Sequence, residues 1–202
     1  MSIPIPETRQ TIPSRVLILA GSLNPNGSHS LIMANFAKNI LAGLGVDHAL
    51  ISLRDVPLPL CDGTHDAGQD PGVKRLRKEV QASTHVLFAV PVYNYGVNAA
   101  VKNVIEHLFN WKCWSDDEWV GIQGKTAGFL CAAGDAFSYM SVLPFANSLM
   151  LECRWWIVPR FVYAVHKDFN DGVIENAKIR DRINLLVDEL LNHSKVAVNK
   201  GW

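Results

Sequence analysis

Five short apolar runs alternate along the chain with longer segments of helical spacing. The runs are 16–20, 46–51, 85–90, 126–133 and 155–165. They are mostly continuous in hydrophobicity rather than alternating, as expected of strands buried on both faces of a parallel sheet. The first run is followed by 28–44, which is rich in apolar residues and closed by Gly43 and Gly45, a helix with glycine termination. Residues 53–69 carry Pro57, Pro59, Gly63 and Gly68 and read as a loop. Segment 71–82 spaces Val73, Leu76 and Val80 as one helix face, with Lys74, Arg75, Arg77 and Lys78 outside it. Segment 98–109 places Val101, Val104, Ile105 and Leu108 on a single stripe. Segment 137–151 reads as a helix kinked at Pro144, and 174–192 spaces Ile179, Ile183, Leu186 and Leu190 for a last amphipathic helix. Strand then helix, five times over, predicts right-handed crossovers and a three-layer α/β domain.

One such domain fits the length, 202 residues against about 150 per domain. It is expected over 16–192, with an N-terminal extension at 1–15 and a tail at 193–202. The 49% of hydrophobic residues fill one core, and the 19 Lys and Arg balance 19 Asp and Glu. Zero net charge argues against a phosphate-tracking surface, so no nucleic-acid partner is expected. No run is long enough to span a bilayer, since 155–165 is broken by Pro159 and Arg160, and no membrane partner is expected. Cys61, Cys113, Cys131 and Cys153 form no CxxC pair and no zinc-type cluster. They read as reduced thiols of a cytoplasmic protein, with no metal site. No signal-peptide core is present at the N-terminus.

In sheets of this kind ligands lie beyond the carboxyl ends of the strands, where the strand order reverses. Three loops are therefore candidates. The first, 21–30 (GSLNPNGSHS), combines glycines, serine hydroxyls and the start of a helix, which suits a phosphate. It holds neither a Walker GK[ST] nor a GxGxxG, and an ordinary turn with Ser28 or Ser30 as N-cap fits it too. The second, 91–98 (PVYNYGVN), offers two tyrosines, the donor and acceptor of Asn94, and Gly96 for close backbone approach after Pro91 ends the strand. It suits the edge of a planar heterocycle, or aromatic residues that cap the core. The third, 132–136 (AAGDA), has small residues and Asp135 as a helix cap.

Taken together, these stretches resemble the NADPH-dependent FMN reductase family of the flavodoxin-like fold. GSLNPNGSHS is similar to its GS-x-R-x-x-S phosphate loop. PVYNYGVNAAVKNVIEHL is similar to P-x-Y-N followed by a small-residue turn, LKN and an acidic residue. FLCAAGDAFSYMSVLPFANSLM resembles its third loop and helix. Leu23 and Asn24 stand where the family often carries an arginine, and Val92 where it often carries a glutamate. The resemblance implies a five-stranded parallel sheet of order 2-1-3-4-5 with helices on both faces. It implies FMN contacts at Ser22, Asn26, Ser28, His29 and Ser30 for the phosphate. Pro91, Val92, Tyr93, Asn94, Tyr95 and Gly96 fall along the ring and ribityl chain, and Ala133, Gly134 and Asp135 in the third loop.

The resemblance further implies an FMN-dependent oxidoreductase, with NADPH or NADH as reductant. Hydride would pass through the flavin to a small acceptor: a flavin, quinone, azo or nitro compound, or metal oxyanion. No catalytic side chain is required, because the flavin does the chemistry. A non-enzymatic flavodoxin-type carrier or a flavin-binding sensor is the alternative, although flavodoxins are usually acidic and the T-x-T-G-x-T loop is absent. The family also implies a homodimer or homotetramer, with the apolar side of 98–109 near the contact. The stretch 110–124, with Trp111, Trp114 and Trp119, is expected as a lid or interface.

Overall fold

A computed structural model describes residues 14–110 and 120–197. In chain order the elements are β1 (Arg15–Ala20), α1 (His29–Gly43), β2 (Asp47–Ser52), α2 (Pro71–Ala82), β3 (His85–Tyr93), β4 (Gly96–Val97) and α3 (Ala99–Phe109). There follow β5 (Thr126–Ala133), α4 (Leu143–Cys153), β6 (Trp156–Val165), β7 (Phe169–Asn170), β8 (Val173–Ile174) and α5 (Ala177–Ala197). The main sheet runs β2-β1-β3-β5-β6 with every neighbour parallel, and β4 folds back on β3. With that two-residue hairpin strand set aside, this is the flavodoxin-like order expected from the sequence. The direction of winding reverses at β1, so the switch point lies between the carboxyl ends of β1 and β3.

The apolar runs are continuous because both faces are covered. Val16 and Ile18 of β1 pack with Met33 and Leu41 of α1 and Ile183 and Leu186 of α5. Leu17 and Leu19, pointing the other way, join Leu76 of α2, Val101 and Ile105 of α3 and Leu149 of α4. Each such side chain contributes about 1.5–3 kcal/mol when fully buried. The central rings of Phe88 and Phe129 stack at 5.4 Å, and Phe145 meets both edge-on.

Three local expectations are corrected. β3 does not end at Pro91; it stays paired with β5 at Pro91 and continues to Tyr93. Backbone polar groups alternate sides along a strand, and Ala89 O points to β1, where it accepts from Gly21 N. The missing N–H of Pro91 therefore faces the space beyond β1's last rung, and no ladder bond is lost. Pro144 makes no kink. Residues Ala136–Ser138 form one 3-10 turn, and α4 begins only at Leu143, with Pro144 in its first turn, where an N–H has no intrahelical partner. Segment 174–192 is not helical from its start. Ile174 closes the β7–β8 hairpin, and the Asn176 side chain accepts from Lys178 N (3.0 Å) as α5 starts. Pro159 lies inside β6 without stopping it. Ala127 pairs with Ile157 but Phe129 with Phe161, so the edge strand bulges at the proline.

Cys61, Cys131 and Cys153 are free thiols, the last two buried. Cys113, Trp111, Trp114 and Trp119 lie outside the described residues. Among the described residues, no helix is long and apolar enough to cross a membrane.

Candidate cofactor site

The first loop leaves β1 at Gly21. Its N–H donates to Ala89 O (2.8 Å), and its carbonyl accepts from Asn98 Nδ2 (2.8 Å). A Cβ here would lie 2.2 Å from Val101 Cγ2, so only glycine lets β1 pass this close to α3. Asn98 is buried, and its Oδ1 has no partner. The loop then braces itself: Ser22 Oγ accepts from Asn24 N (3.2 Å), and Asn24 Oδ1 accepts from Asn26 N (2.9 Å). Ser28 is the N-cap of α1, its Oγ accepting from Leu31 N (3.3 Å) and lying 2.9 Å from Ser30 Oγ. The first turn of α1 contains no acidic residue. Its leading amides have no intrahelical acceptor and form the positive end of the helix dipole.

His29 opens α1, but its ring stacks flat on Phe169 of β7, 4.1 Å between centroids and 8° apart in plane. The His166 ring is 5.2 Å away. Burial lowers the His29 pKa, and the neighbouring His166 lowers it further.

The second loop is a two-residue hairpin, Tyr93 pairing with Gly96 and Val92 with Val97. Asn94 (φ 50°) and Tyr95 (φ 60°) are both left-handed, the signature of a type I′ turn. The turn holds Tyr93 and Tyr95 out in solvent, 53% and 68% exposed. Val92 packs in the core, so only its backbone faces the site. Gly96 has an ordinary φ, and a Cβ there would meet only Tyr93 O, at 3.9 Å.

The third loop leaves β5 next to the hairpin, since Pro91 and Ala132 are paired across the strands. Ala133 is in the core. Gly134 has nothing within 4 Å of a Cβ position. Asp135 Oδ1 caps the 3-10 turn by accepting from Phe137 N (2.9 Å). Beyond it, Phe137 and Tyr139 stand exposed, and Met140 is left-handed (φ 67°). The Tyr139 ring sits 5.1 Å from that of Tyr163, whose hydroxyl accepts from Val142 N (3.3 Å). Burial raises the Tyr163 pKa, chiefly, with Cys131 adding to the effect. Phe137 and Tyr139 were not singled out from the sequence; two aromatic residues just past a strand end were the available signal.

A cavity of about 450 Å³ lies on the β2 side of the first loop, bordered by Leu23, Leu53, Arg54, Leu58, Ala99 and Asn103. The loop expected at 53–69 forms its wall, strapped to α3 by a row of side chains. Asn103 Oδ1 accepts from Cys61 N (2.9 Å), and Asn103 Nδ2 donates to Pro59 O (2.8 Å). His107 Nε2 bonds Pro59 O (2.7 Å), and Asn110 Nδ2 donates to Thr64 O (2.9 Å). Among the described residues no group of His, Cys, Asp and Glu could hold a metal ion.

The structure thus gathers serine hydroxyls and helix-start amides on one side of the switch point. On the other it gathers two exposed tyrosines and an open glycine. The donor set, with Ser28 half-buried and Ser22 and Ser30 buried, is of the kind that holds a phosphate, and exposed Gly134 beside the hairpin leaves open space for a ring to approach its backbone. Residues 14–170 match the family model described as NADPH-dependent FMN reductase. The chain is 34% identical over 180 residues to a probable NADPH:quinone oxidoreductase 1 of Oryza sativa subsp. japonica, covering 84% of this chain and 86% of that protein. A probable NADPH:quinone oxidoreductase 2 of the same plant is 33% identical over 111 residues, about half of each chain (50% and 51%). The solved structure of FerB, a flavoenzyme NAD(P)H:acceptor oxidoreductase from Paracoccus denitrificans, superposes with a TM-score of 0.67 at 17% identity, covering 89% of this chain and 98% of that one.

Proposed function

Since the chain belongs to the NADPH-dependent FMN reductase family, we propose that its three strand-end loops hold FMN and serve an NAD(P)H-dependent oxidoreductase with a small-molecule acceptor. The observation that carries this is the Ser28–Ser30 hydroxyl pair at the start of α1, on the β1 side of the switch point, with the tyrosine hairpin on its β3 side. Ser22, Ser28 and Ser30, the Asn26 side chain and the amides from Gly27 to Ser30 would take the phosphate. The backbone of Pro91–Gly96, the side chains of Tyr93, Asn94 and Tyr95, and the Ala133–Asp135 turn would line the ring. When bound, FMN supplies the two-electron chemistry between a reduced nicotinamide and an acceptor. The chain's own part is to bind and orient. Gly21 and Asn98 lock the first loop to the second, and the type I′ turn fixes the two tyrosine backbones. No side chain is assigned a proton-transfer role.

The exposed rings of Tyr95, Phe137 and Tyr139 favour planar acceptors such as quinones or flavins. We further propose at least a homodimer in the cytoplasm. The apolar stripe of α3 is buried in its own core and cannot make the subunit contact. Exposed Leu23 and Leu60, beside the cavity, offer apolar surface that a second copy would cover. Sedimentation of the purified protein tests this, and a monomer at micromolar concentration would refute it. An absorbance spectrum, followed by anaerobic titration with NADPH and with NADH, tests the activity. A yellow protein bleached rapidly by a nicotinamide is expected. A yellow protein bleached by neither is an electron carrier instead, and a protein that takes up no FMN ends the proposal.

A further inference from the structure

The first loop brings no permanent cation of its own to a phosphate. Residues 21–30 contain neither Lys nor Arg, and the helix end contributes roughly half a charge against about −1.5 to −2 on a phosphomonoester. Two groups beside the start of α1 can become cationic. One is His29, the first residue of the helix. The other is His166, whose ring lies 5.2 Å from it.

Their positions are built rather than incidental. The His29 ring lies flat on Phe169. Phe169 is held by the β7–β8 pairing, in which it faces Ile174. The 3-10 turn carrying His166 is fixed by Asp168, whose two carboxylate oxygens accept from Val165 N (2.8 Å) and Asn176 Nδ2 (2.7 Å). The other charged groups on these packed elements are Lys167 beside His166, Asp171 in the hairpin turn, and Glu175, Lys178, Arg180 and Asp181 where β8 leads into α5, which packs on α1; the first loop and the start of α1 add none. Of all of these, His166 is the group that acts on the His29 charge.

We propose that His29 and His166, once protonated, supply the counter-charge for the FMN phosphate, so that cofactor binding takes up protons. The proposal rests on the FMN reading above and adds His166 to the site. Its sign follows from reciprocity: a ligand that favours the protonated pair is itself bound more tightly when protons are abundant. In the free protein, partial burial and the neighbouring His166 lower the His29 pKa, and the positive helix end disfavours its cation in the same sense. A phosphate dianion reverses that balance. Affinity therefore rises as pH falls from 8 to about 6.5; below roughly pH 6 the phosphate itself begins to protonate and the gain stops.

The test uses flavin-free full-length protein and fluorescence titration with FMN and with riboflavin, which has the same ring and no phosphate. The FMN dissociation constant should fall roughly tenfold between pH 8 and 6.5, while that for riboflavin stays level. His166→Gln, an exposed substitution, should remove about half of the slope on a logarithmic scale, and His29→Gln with His166→Gln nearly all of it. Calorimetry in two buffers of different ionisation heat should show proton uptake on FMN binding by the native chain and none by the double variant. A level FMN profile in the native chain, or an undiminished slope in His166→Gln, overturns the proposal while leaving FMN binding intact. Failure of the native chain to bind FMN at any pH removes the cofactor reading and this proposal with it.

Discussion

The two ends of the central sheet are built on opposite terms. At the amino end, polar groups are sunk among protein partners, although Arg15 Nε and His85 Nε2 are left without a hydrogen bond. His85 and Lys125 are buried, Lys125 Nζ donates to Ser83 O (2.6 Å), and His85 Nδ1 bonds Thr84 Oγ1. Arg15 pairs with Asp47 and Glu79 at 2.8 Å each, and Trp155 Nε1 donates to Ile122 O (2.6 Å). At the carboxyl end the terms reverse. Leu23, Tyr93, Tyr95, Phe137 and Tyr139 are exposed, and Asn94, Tyr95 and Met140 hold left-handed backbone. One end expends its side chains on stability; the other leaves rings and strained turns facing outward, as a ligand site does.

The sharpest break in that contrast is Gly21, where the open end is packed as tightly as the closed one. Gly21→Val drives a side chain into Val101 and should cost about 3 kcal/mol in urea unfolding. A loss below 1 kcal/mol would show that α3 yields and that the loops are not locked together. The closed end should instead reveal itself through pH. Burial, helped by the charge of Lys125, pushes the His85 pKa down to about 4, against a raising pull from the Leu190 backbone. The unfolded chain binds this proton near pH 6.5 and the folded chain does not. The contribution is therefore complete above pH 6.5 and is lost as pH falls toward 4, with roughly 2 kcal/mol gone at pH 5. His85→Gln should flatten this decline in unfolding free energy. Lys125, pushed by burial to about 8, works at the other limit, and its presence makes stability rise as pH climbs from 8 to 10.5. At the open end Ser28→Ala removes the α1 cap, at about 1 kcal/mol of stability, and should weaken FMN retention by about 1–3 kcal/mol. Unchanged FMN affinity would detach the hydroxyl pair from the phosphate.

Much of this was legible in the residues. Continuous apolar runs located the five strands, because a sheet covered on both faces has no polar alternation to hide them. The loops at strand ends followed from that order. What escaped was whatever depends on distant partners or disguised turns. The Asn94–Tyr95 turn lacks the usual Asn-Gly pair, so Pro91 looked like a strand end. Pro144 looked like a kink because nothing local told that the preceding turn was 3-10 and not α. The His29–Phe169 stack joins residues far apart in the chain and leaves no periodicity to read. The strap on α3 did leave a trace: Asn103, His107 and Asn110 repeat at helical spacing on the flank beside the apolar stripe.

The smallest expected effects on stability test the open end most directly. Tyr95 occupies a left-handed position that glycine adopts without strain, so Tyr95→Gly should gain roughly 0.5 kcal/mol despite glycine's larger unfolded-state entropy. Phe137 is 85% exposed, and Phe137→Ser should shift stability by less than about 0.5 kcal/mol in either direction. If that ring serves a planar acceptor, the same variant should keep its flavin and its rate with ferricyanide, a compact inorganic acceptor, while KM for a naphthoquinone rises. An equal loss with both acceptors would mean that Phe137 acts through the fold or a subunit contact. A large fall in unfolding free energy would mean that this end of the sheet, too, depends on its side chains for stability, and the contrast between the ends would fail.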